Sequence, residues 1–169
     1  MPSAHRPAAS TPAVALLIAE KVEHSVHAYD HDPRSESFGT EAADVLTERL
    51  GVVADQIFKT LVLRRSDNTL AVAVLPVTAT LSLKAAASAL GTRKIVLADR
   101  AEAEKSTGYV FGGVSPLGQK RALATVVDES ALAWDRILCS GGRRGFEIEL
   151  DPKDLVRLAR AVTAPVATS

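Results

Sequence analysis

The sequence is poor in several residue types on which whole classes of protein depend. Its 169 residues include a single cysteine, Cys139, which excludes an internal disulfide framework and a CxxC zinc or redox motif. No apolar stretch approaches the roughly 20 residues of a membrane-spanning helix, and the opening MPSAHRPAAS lacks the apolar segment of a secretion signal. These features favour a reducing compartment, and we expect a cytoplasmic protein that does not associate with membranes.

The chain also lacks an excess of either positive or negative charge. Twenty basic and twenty acidic residues give a formal net charge of zero, and aromatic residues make up 4% of the chain. Proteins that hold nucleic acid by nonspecific backbone attraction are usually strongly basic, and platforms for single strands are rich in exposed rings. Any contact with nucleic acid is therefore expected to come from a local basic patch.

Length and composition predict one ordinary domain with a core of its own, since 47% of the residues are hydrophobic. We predict a flexible N-terminal tail over residues 1–10, a single domain over 11–162 and a C-terminal tail over 163–169. Capping residues and helical periodicity predict four main helices, which begin at Pro12 with Thr11 as its cap, after Thr40 as a cap, after Ser82, and after Asp151.

Short β-rich runs lie between these helices. Residues 57–63 and 70–77 predict a hairpin of strands covered on both faces, and Phe146–Leu150 alternates as a strand with one solvent-exposed face does. Hairpins without regular βαβ spacing favour an α+β fold. We expect a mixed, largely antiparallel sheet, curled like a barrel and surrounded by helices.

Three stretches depart from the local patterns of helices and strands, and such departures tend to mark functional sites. The first is Lys59-Thr60, inside the otherwise apolar strand of residues 57–63. A lysine ammonium there must reach a carboxylate, a bound anion or a cleft, or extend to solvent at the end of the strand.

The second stretch, residues 106–118, contains four glycines, which permit close approach of the backbone to a ligand or simply form a tight turn. Its amides can form an anion-binding concavity or an oxyanion hole. The third stretch, residues 139–145, is a predicted turn that carries a serine hydroxyl and two arginines. It suits a phosphate or carboxylate ligand, or is a hairpin with solvated arginines.

Other side chains offer weaker candidates for chemistry. His24, His27 and His31 do not have the spacing of a helical zinc site, so we expect neither a metal nor a cofactor. Cys139 lies in an apolar run and is predicted to be an inert core thiol.

These stretches carry a resemblance to a known family. The segments FKTLVL (58–63), LSLKAAASALG (81–91), KSTGYVFGGVSPLGQKR (105–121) and SGGRRG (140–145), together with TPAVALL, HAYDHDP and FGTEAADVL upstream, resemble the YbaK/EbsC family. These proteins are Cys-tRNA(Pro) deacylases related to the editing domain of bacterial prolyl-tRNA synthetase. The resemblance runs from about Thr11 to Arg160, nearly the whole chain, and the glycine-rich motif together with the upstream FKTL is a specific combination.

The resemblance implies a hydrolase that acts in trans on the acceptor end of mischarged tRNA, with Cys-tRNA(Pro) as substrate and prolyl-tRNA synthetase as a partner. It implies that the substrate's own thiol attacks the ester carbonyl. It assigns catalytic roles to Lys59, Gly112 and Ser140, with Lys59 holding the terminal phosphate or ribose region. Many relatives carry Asp where this chain has Glu147. The residues expected to bind substrate are Tyr29, Thr60, Gly113, Ser115, Pro116, Gly141, Arg144 and Glu147.

Three alternatives remain open at this point. The chain can be a deacylase for another mischarged tRNA, such as Ala-tRNA(Pro), which requires a positioned water. It can be a non-catalytic module that binds tRNA or a synthetase. It can also be a nucleotide-binding protein that uses Arg143 and Arg144 for phosphate.

Overall fold

The structure is a computed structural model that describes residues 11–32, 34 and 38–169, without the side chains of Phe38 and Gly39. The predicted N-terminal tail, residues 1–10, lies outside the described residues. The described helices are α1 (Pro12–Ala19), α2 (Phe38–Leu50), α3 (Leu83–Ala89), α4 (Arg100–Thr107) and α5 (Pro152–Ala159), with short 3-10 helices at Ala54–Gln56 and Glu129–Ala133. The strands are β1 (His24–Ala28), β2 (Phe58–Arg65), β3 (Leu70–Pro76), β4 (Thr80–Leu81), β5 (Ile95–Leu97), β6 (Ala124–Asp128), β7 (Ile137–Arg143), β8 (Phe146–Leu150), β9 (Val162–Ala164) and β10 (Ala167–Thr168).

Side-chain caps explain where most of the helices begin. The Thr11 hydroxyl accepts a hydrogen bond from the Val14 amide at 3.2 Å at the start of α1, and Ser82 caps α3 in the same way. Both caps confirm the sequence prediction. The second helix differs from the prediction, because α2 begins at Phe38 and Thr40 lies inside it rather than at its cap.

The strands form two larger sheets and one small pair. The five-stranded sheet has the order β5-β2-β3-β6-β9, the three-stranded sheet has the order β1-β8-β7, and β10 pairs with β4. The predicted β2–β3 hairpin is antiparallel, whereas β3–β6 and β6–β9 are parallel. A mixed α+β fold is therefore confirmed. The expected barrel is not confirmed, since the described strands leave both larger sheets open, linked by one parallel bridge between Ile57 and Leu138.

The hydrophobic core forms on both sides of β3, which is buried along almost its whole length as its sequence predicts. One cluster joins alternate residues of β3 to α1, α5 and the three-stranded sheet, with Leu17, Val72 and Ile148 fully buried. A second cluster packs α3 against the other residues of β3 and its neighbours. Burial on both faces fixes β3 and holds the adjacent β2 in register beside it.

The residues predicted to form a C-terminal tail are instead part of the fold. Strand β9 pairs with β6, β10 pairs with β4, and Val166 between them is fully buried. The Asp128 carboxylate accepts hydrogen bonds from the amides of Val166 and Ala167, both at 2.9 Å. Strands of two and three residues are too short to produce a periodic pattern, which is why the prediction was wrong.

Candidate functional site

A cavity of about 470 Å³ lies where β2, the glycine-rich loop after α4 and the β7–β8 hairpin come together. Its volume falls within the roughly 300–1,000 Å³ of small-molecule sites. All three stretches that the sequence singled out contribute to its wall. Most of the wall is apolar, and its polar side chains are Thr40, Lys59, Thr60, Arg100, Ser140 and Glu147.

Lys59 supplies the positive charge on the β2 side of the cavity. Its ammonium is half-buried and donates a hydrogen bond to the Ala79 carbonyl oxygen at 2.7 Å. Burial lowers the pKa of this ammonium from its ordinary value. Within the described part of the chain no carboxylate forms an ion pair with Lys59, so its charge remains available to an anionic or hydroxyl-bearing ligand.

Thr60 contributes a buried hydroxyl. Successive side chains of a strand point to opposite faces, so Lys59 and Thr60 contribute to the cavity wall from different faces of β2. The Oγ1 atom of Thr60 is buried and has no hydrogen-bond partner among the described residues. Such a group costs stability unless a ligand or water completes it, which makes Thr60 a candidate for contact with substrate.

The glycine-rich loop presents its backbone to the cavity at Gly112. This residue has φ of +85°, a conformation that favours glycine, and it lines the cavity. The amide of Gly113 donates instead to the Val110 carbonyl oxygen at 2.9 Å. An added Cβ on Gly113 would lie 2.7 Å from the Arg143 Cα, so this glycine permits close packing of the loop against β7.

Phe111 ties the loop to its surroundings and was not singled out from the sequence. Its amide donates to the Glu104 carboxylate at 2.7 Å, and its carbonyl oxygen accepts from Arg144 Nε at 2.8 Å. The ring lines the cavity, and the Arg100 guanidinium lies over it, 4.0 Å from the centroid. The sequence signal was an aromatic residue directly before Gly112, which carries no periodic pattern.

Ser140 and Glu147 face the cavity from neighbouring strands. They are directly opposed partners of β7 and β8, so their side chains share one face. The Ser140 hydroxyl accepts a hydrogen bond from the Gly142 amide at 3.2 Å. The turn predicted at 139–145 is shorter in the structure, because β7 continues through Arg143.

Glu147 is the main surprise in the site. The alternating sequence of β8 predicted a solvent-exposed face, yet Glu147 is only 7% exposed. The reason is that β8 is the central strand between β1 and β7 and turns this face to the cavity wall. Burial raises the pKa of its carboxyl group to about 8. A carboxyl group that titrates near neutral pH in a cavity is a functional candidate.

Tyr29 lies behind the cavity wall rather than among the residues that line it. It is half-buried, and its amide donates to the Gly145 carbonyl oxygen at 2.8 Å. Burial raises the pKa of its phenol, and the carboxylates of Glu147 and Glu41 add to the effect. Its hydroxyl therefore stays neutral near Glu147.

The remaining members of the expected substrate-binding set shape the site without lining it. Ser115 is fully buried, and its Oγ accepts from the Leu117 amide at 3.2 Å inside the loop. Pro116 beside it is buried as well. An added Cβ on Gly141 would lie 2.7 Å from the Phe146 ring, so this position needs glycine for packing.

The Cys139 thiol and the histidines do not form a further reactive or metal-binding site among the described residues. Cys139 is fully buried, and burial raises the pKa of its thiol, as expected of an inert core residue. Over the described ranges no group of three or more His, Cys, Asp or Glu residues is arranged to hold a metal ion. His27 pairs with Glu149 at 2.8 Å.

No helix in the described part of the chain is long and apolar enough to cross a membrane.

Comparison with known proteins shows the family to which the chain belongs. The sequence profile described as "Aminoacyl-tRNA editing domain" matches residues 39–158. A protein of Enterococcus faecalis (strain ATCC 700802 / V583), which has the provisional name Cys-tRNA(Pro)/Cys-tRNA(Cys) deacylase EbsC, is 36% identical over 127 residues, or 75% of this chain and 77% of that protein.

Two solved structures show the same fold. The protein described as hypothetical protein APE2540 is 26% identical with a TM-score of 0.80, over 93% of this chain and 99% of that one. A structure with the provisional description of a trans-editing enzyme for prolyl-tRNA synthetase is 24% identical with a TM-score of 0.75, over 100% of this chain and 99% of that one. The family match and the 36% identical relative together show that the chain belongs to the aminoacyl-tRNA editing domain family.

Proposed function

We propose that this editing-domain protein is a deacylase that acts in trans on Cys-tRNA(Pro) and uses the thiol of the substrate itself to break the ester bond. The observation that carries the proposal is the composition of the cavity. It offers an ammonium, a glycine amide, a hydroxyl and a carboxyl group around a largely apolar space. The protein's single thiol, Cys139, is buried away from it. Sulfur chemistry in this cavity must therefore come from the substrate.

We assign the Gly112 amide to the ester carbonyl. No hydrogen bond from this amide is found within the described residues, whereas the neighbouring amide of Gly113 is engaged by Val110. An amide held in a left-handed turn is a fixed dipole that needs no rearrangement when negative charge develops on the carbonyl oxygen. We therefore assign the oxyanion contact to Gly112 and not to Gly113.

Lys59 and Glu147 bind the charged ends of the aminoacyl adenosine. Lys59 holds phosphate or ribose oxygens of the tRNA terminus, because it is a half-buried cation that has no acidic partner in the described chain. Glu147 receives the α-amino group of the amino acid. A substrate ammonium beside this buried carboxyl group favours its ionised form, so the two form a charge-assisted hydrogen bond.

The reaction then proceeds within the bound substrate. The cysteinyl sulfur, after losing its proton, forms a bond to the ester carbonyl carbon. The bond between that carbon and the ribose oxygen breaks, and the ribose oxygen leaves with the electron pair and takes up a proton. The resulting cyclic thioester is hydrolysed by water to free cysteine. Proximity rather than a protein nucleophile supplies the rate enhancement.

A second candidate has its own structural support. The Ser140 hydroxyl and the Glu147 carboxyl group are opposed on adjacent strands at the cavity wall. A hydroxyl and a carboxyl group on one face can together orient a water molecule. Such a water would hydrolyse esters without a thiol, and alanine on tRNA(Pro) is the substrate of this kind that fits a small cavity.

The proposed function also implies a partner protein and a cellular compartment. A chain of zero net charge has little general attraction for a tRNA body. We therefore propose that prolyl-tRNA synthetase, which holds the tRNA when it is mischarged, helps to present the acceptor end. The reaction then takes place in the cytoplasm.

The test is deacylation of Cys-tRNA(Pro), Ala-tRNA(Pro) and Pro-tRNA(Pro) by the wild type and by Lys59→Ala. We expect rapid loss of the cysteinyl ester alone, abolished by Lys59→Ala. Lys153→Ala, an exposed lysine at the start of α5, is the matched control and should be fully active. Equal release of alanine would replace the thiol mechanism with the water mechanism, and release of none of the three would refute the proposed function.

A further inference from the structure

Phe111 and Arg100 form an aromatic–guanidinium pair in the cavity wall. Both residues line the cavity, and the Arg100 guanidinium lies 4.0 Å from the centroid of the Phe111 ring. The Phe111 side chain is 37% exposed although it belongs to the wall. An exposed ring beside a guanidinium is the combination with which proteins stack single-stranded bases.

The backbone that carries this ring is held by hydrogen bonds on both sides. The Phe111 amide is fixed by Glu104, and its carbonyl oxygen is fixed by Arg144. Gly112, which follows, is held in the left-handed conformation. A ring that is fixed before the ligand arrives loses little conformational freedom on binding, so its contact surface contributes more fully to affinity.

The position of the ring matches the shape of an aminoacyl nucleoside. Phe111 directly precedes Gly112, whose amide we assign to the ester carbonyl. In a nucleoside esterified on its ribose, the base lies one sugar ring from that carbonyl. We propose that Phe111, backed by Arg100, binds the terminal adenine of the tRNA by stacking. This inference rests on the proposed function, because it assumes that the ester occupies the same cavity.

The neighbouring wall decides how selective this contact is. The rest of the cavity wall is mostly apolar, including Leu97, Ala103 and Val114. Apolar side chains cannot read the hydrogen-bonding edge of a base, whereas stacking is available to every base. The pair therefore recognises the presence of a terminal base and discriminates poorly between adenine and guanine.

The experiment uses an uncharged RNA hairpin that ends in single-stranded CCA, with 2-aminopurine in place of the terminal adenine. Stacking quenches the fluorescence of this base. We expect quenching by the wild type and by Phe111→Tyr, and its loss with Phe111→Leu, together with a rise in Kd of about 5- to 150-fold. Val110→Ala, a 52% exposed neighbour outside the cavity wall, is the control and should quench as the wild type does.

A second measurement needs no variant and so does not depend on folding. Wild-type protein should bind a hairpin with an abasic terminal ribose more weakly by the same factor, and a hairpin ending in guanine within about threefold of adenine. Equal quenching by Phe111→Leu and wild type, or equal affinity for abasic and adenine ends, would overturn the inference. The RNA carries no amino acid, so this result is independent of which ester the enzyme cleaves.

Discussion

Glu147 gives the sharpest test of the site's electrostatics. Replacing it by glutamine keeps the size of the side chain and removes the ionisable proton. In the folded protein burial raises the pKa of the Glu147 carboxyl group from 4.5 to about 8. A group whose pKa is raised by folding binds a proton more tightly in the folded state. The contribution of Glu147 to the free energy of unfolding is therefore most favourable below pH 4.5, and it is lost as the pH rises through 8.

The magnitude follows from the size of the shift. Between the two pKa values each unit of pH costs about 1.4 kcal/mol of the free energy of unfolding. From pH 6 to pH 9 wild-type protein should lose about 2–3 kcal/mol more than Glu147→Gln, since the loss levels off above pH 8. For a chain of this length that corresponds to a difference in Tm of about 5–10 °C. The glutamine variant should also be the more stable protein at pH 9, because it buries no charge there.

The assay is urea unfolding of both proteins at pH 6, 7, 8 and 9, with the free energy of unfolding extrapolated to water. Glu48→Gln, an exposed position of α2, is the matched control and should retain the wild-type slope. Parallel stability curves for wild type and Glu147→Gln would refute the reasoning, since they would mean that Glu147 is solvated in the folded state.

Three further predictions follow from individual contacts. Thr60→Val removes a buried hydroxyl without a described partner, so stability should change by less than about 1 kcal/mol while KM rises about 2- to 12-fold; an unchanged KM would contradict it. Gly113→Ala places a methyl 2.7 Å from the Arg143 backbone, and unfolding should show a loss of about 1–3 kcal/mol, whereas Gly91→Ala, with open space around it, tests the cost of a methyl alone. Cys139→Ala should keep deacylation within about twofold and lose about 1–2 kcal/mol of stability; an inactive but folded variant would show that the thiol takes part.

Much of the candidate site could be predicted from sequence, because its segments depart from the residue patterns of ordinary strands and helices. A lysine in an apolar strand and a loop with four glycines stand out without any knowledge of the fold. Their meeting at one cavity could not be predicted in this way. It depends on the pairing of β2 with β5 and on the bridge between Ile57 and Leu138, which join residues far apart in the chain. Long-range pairing of this kind leaves no periodic signal in either segment.

The errors have one physical origin, which is that a residue's surroundings come from other segments. The alternation in β8 is real, but the face bearing Glu147 meets a cavity wall instead of solvent. The last residues read as a tail because the partners that bury Val166 lie in distant strands and in Asp128. Phe111 was not predicted as a site residue for the same reason, since its contacts with Arg100, Glu104 and Arg144 place it at the cavity. Local pattern therefore finds the groups that are unusual for their own segment, and it misses ordinary residues that tertiary contacts place in the site.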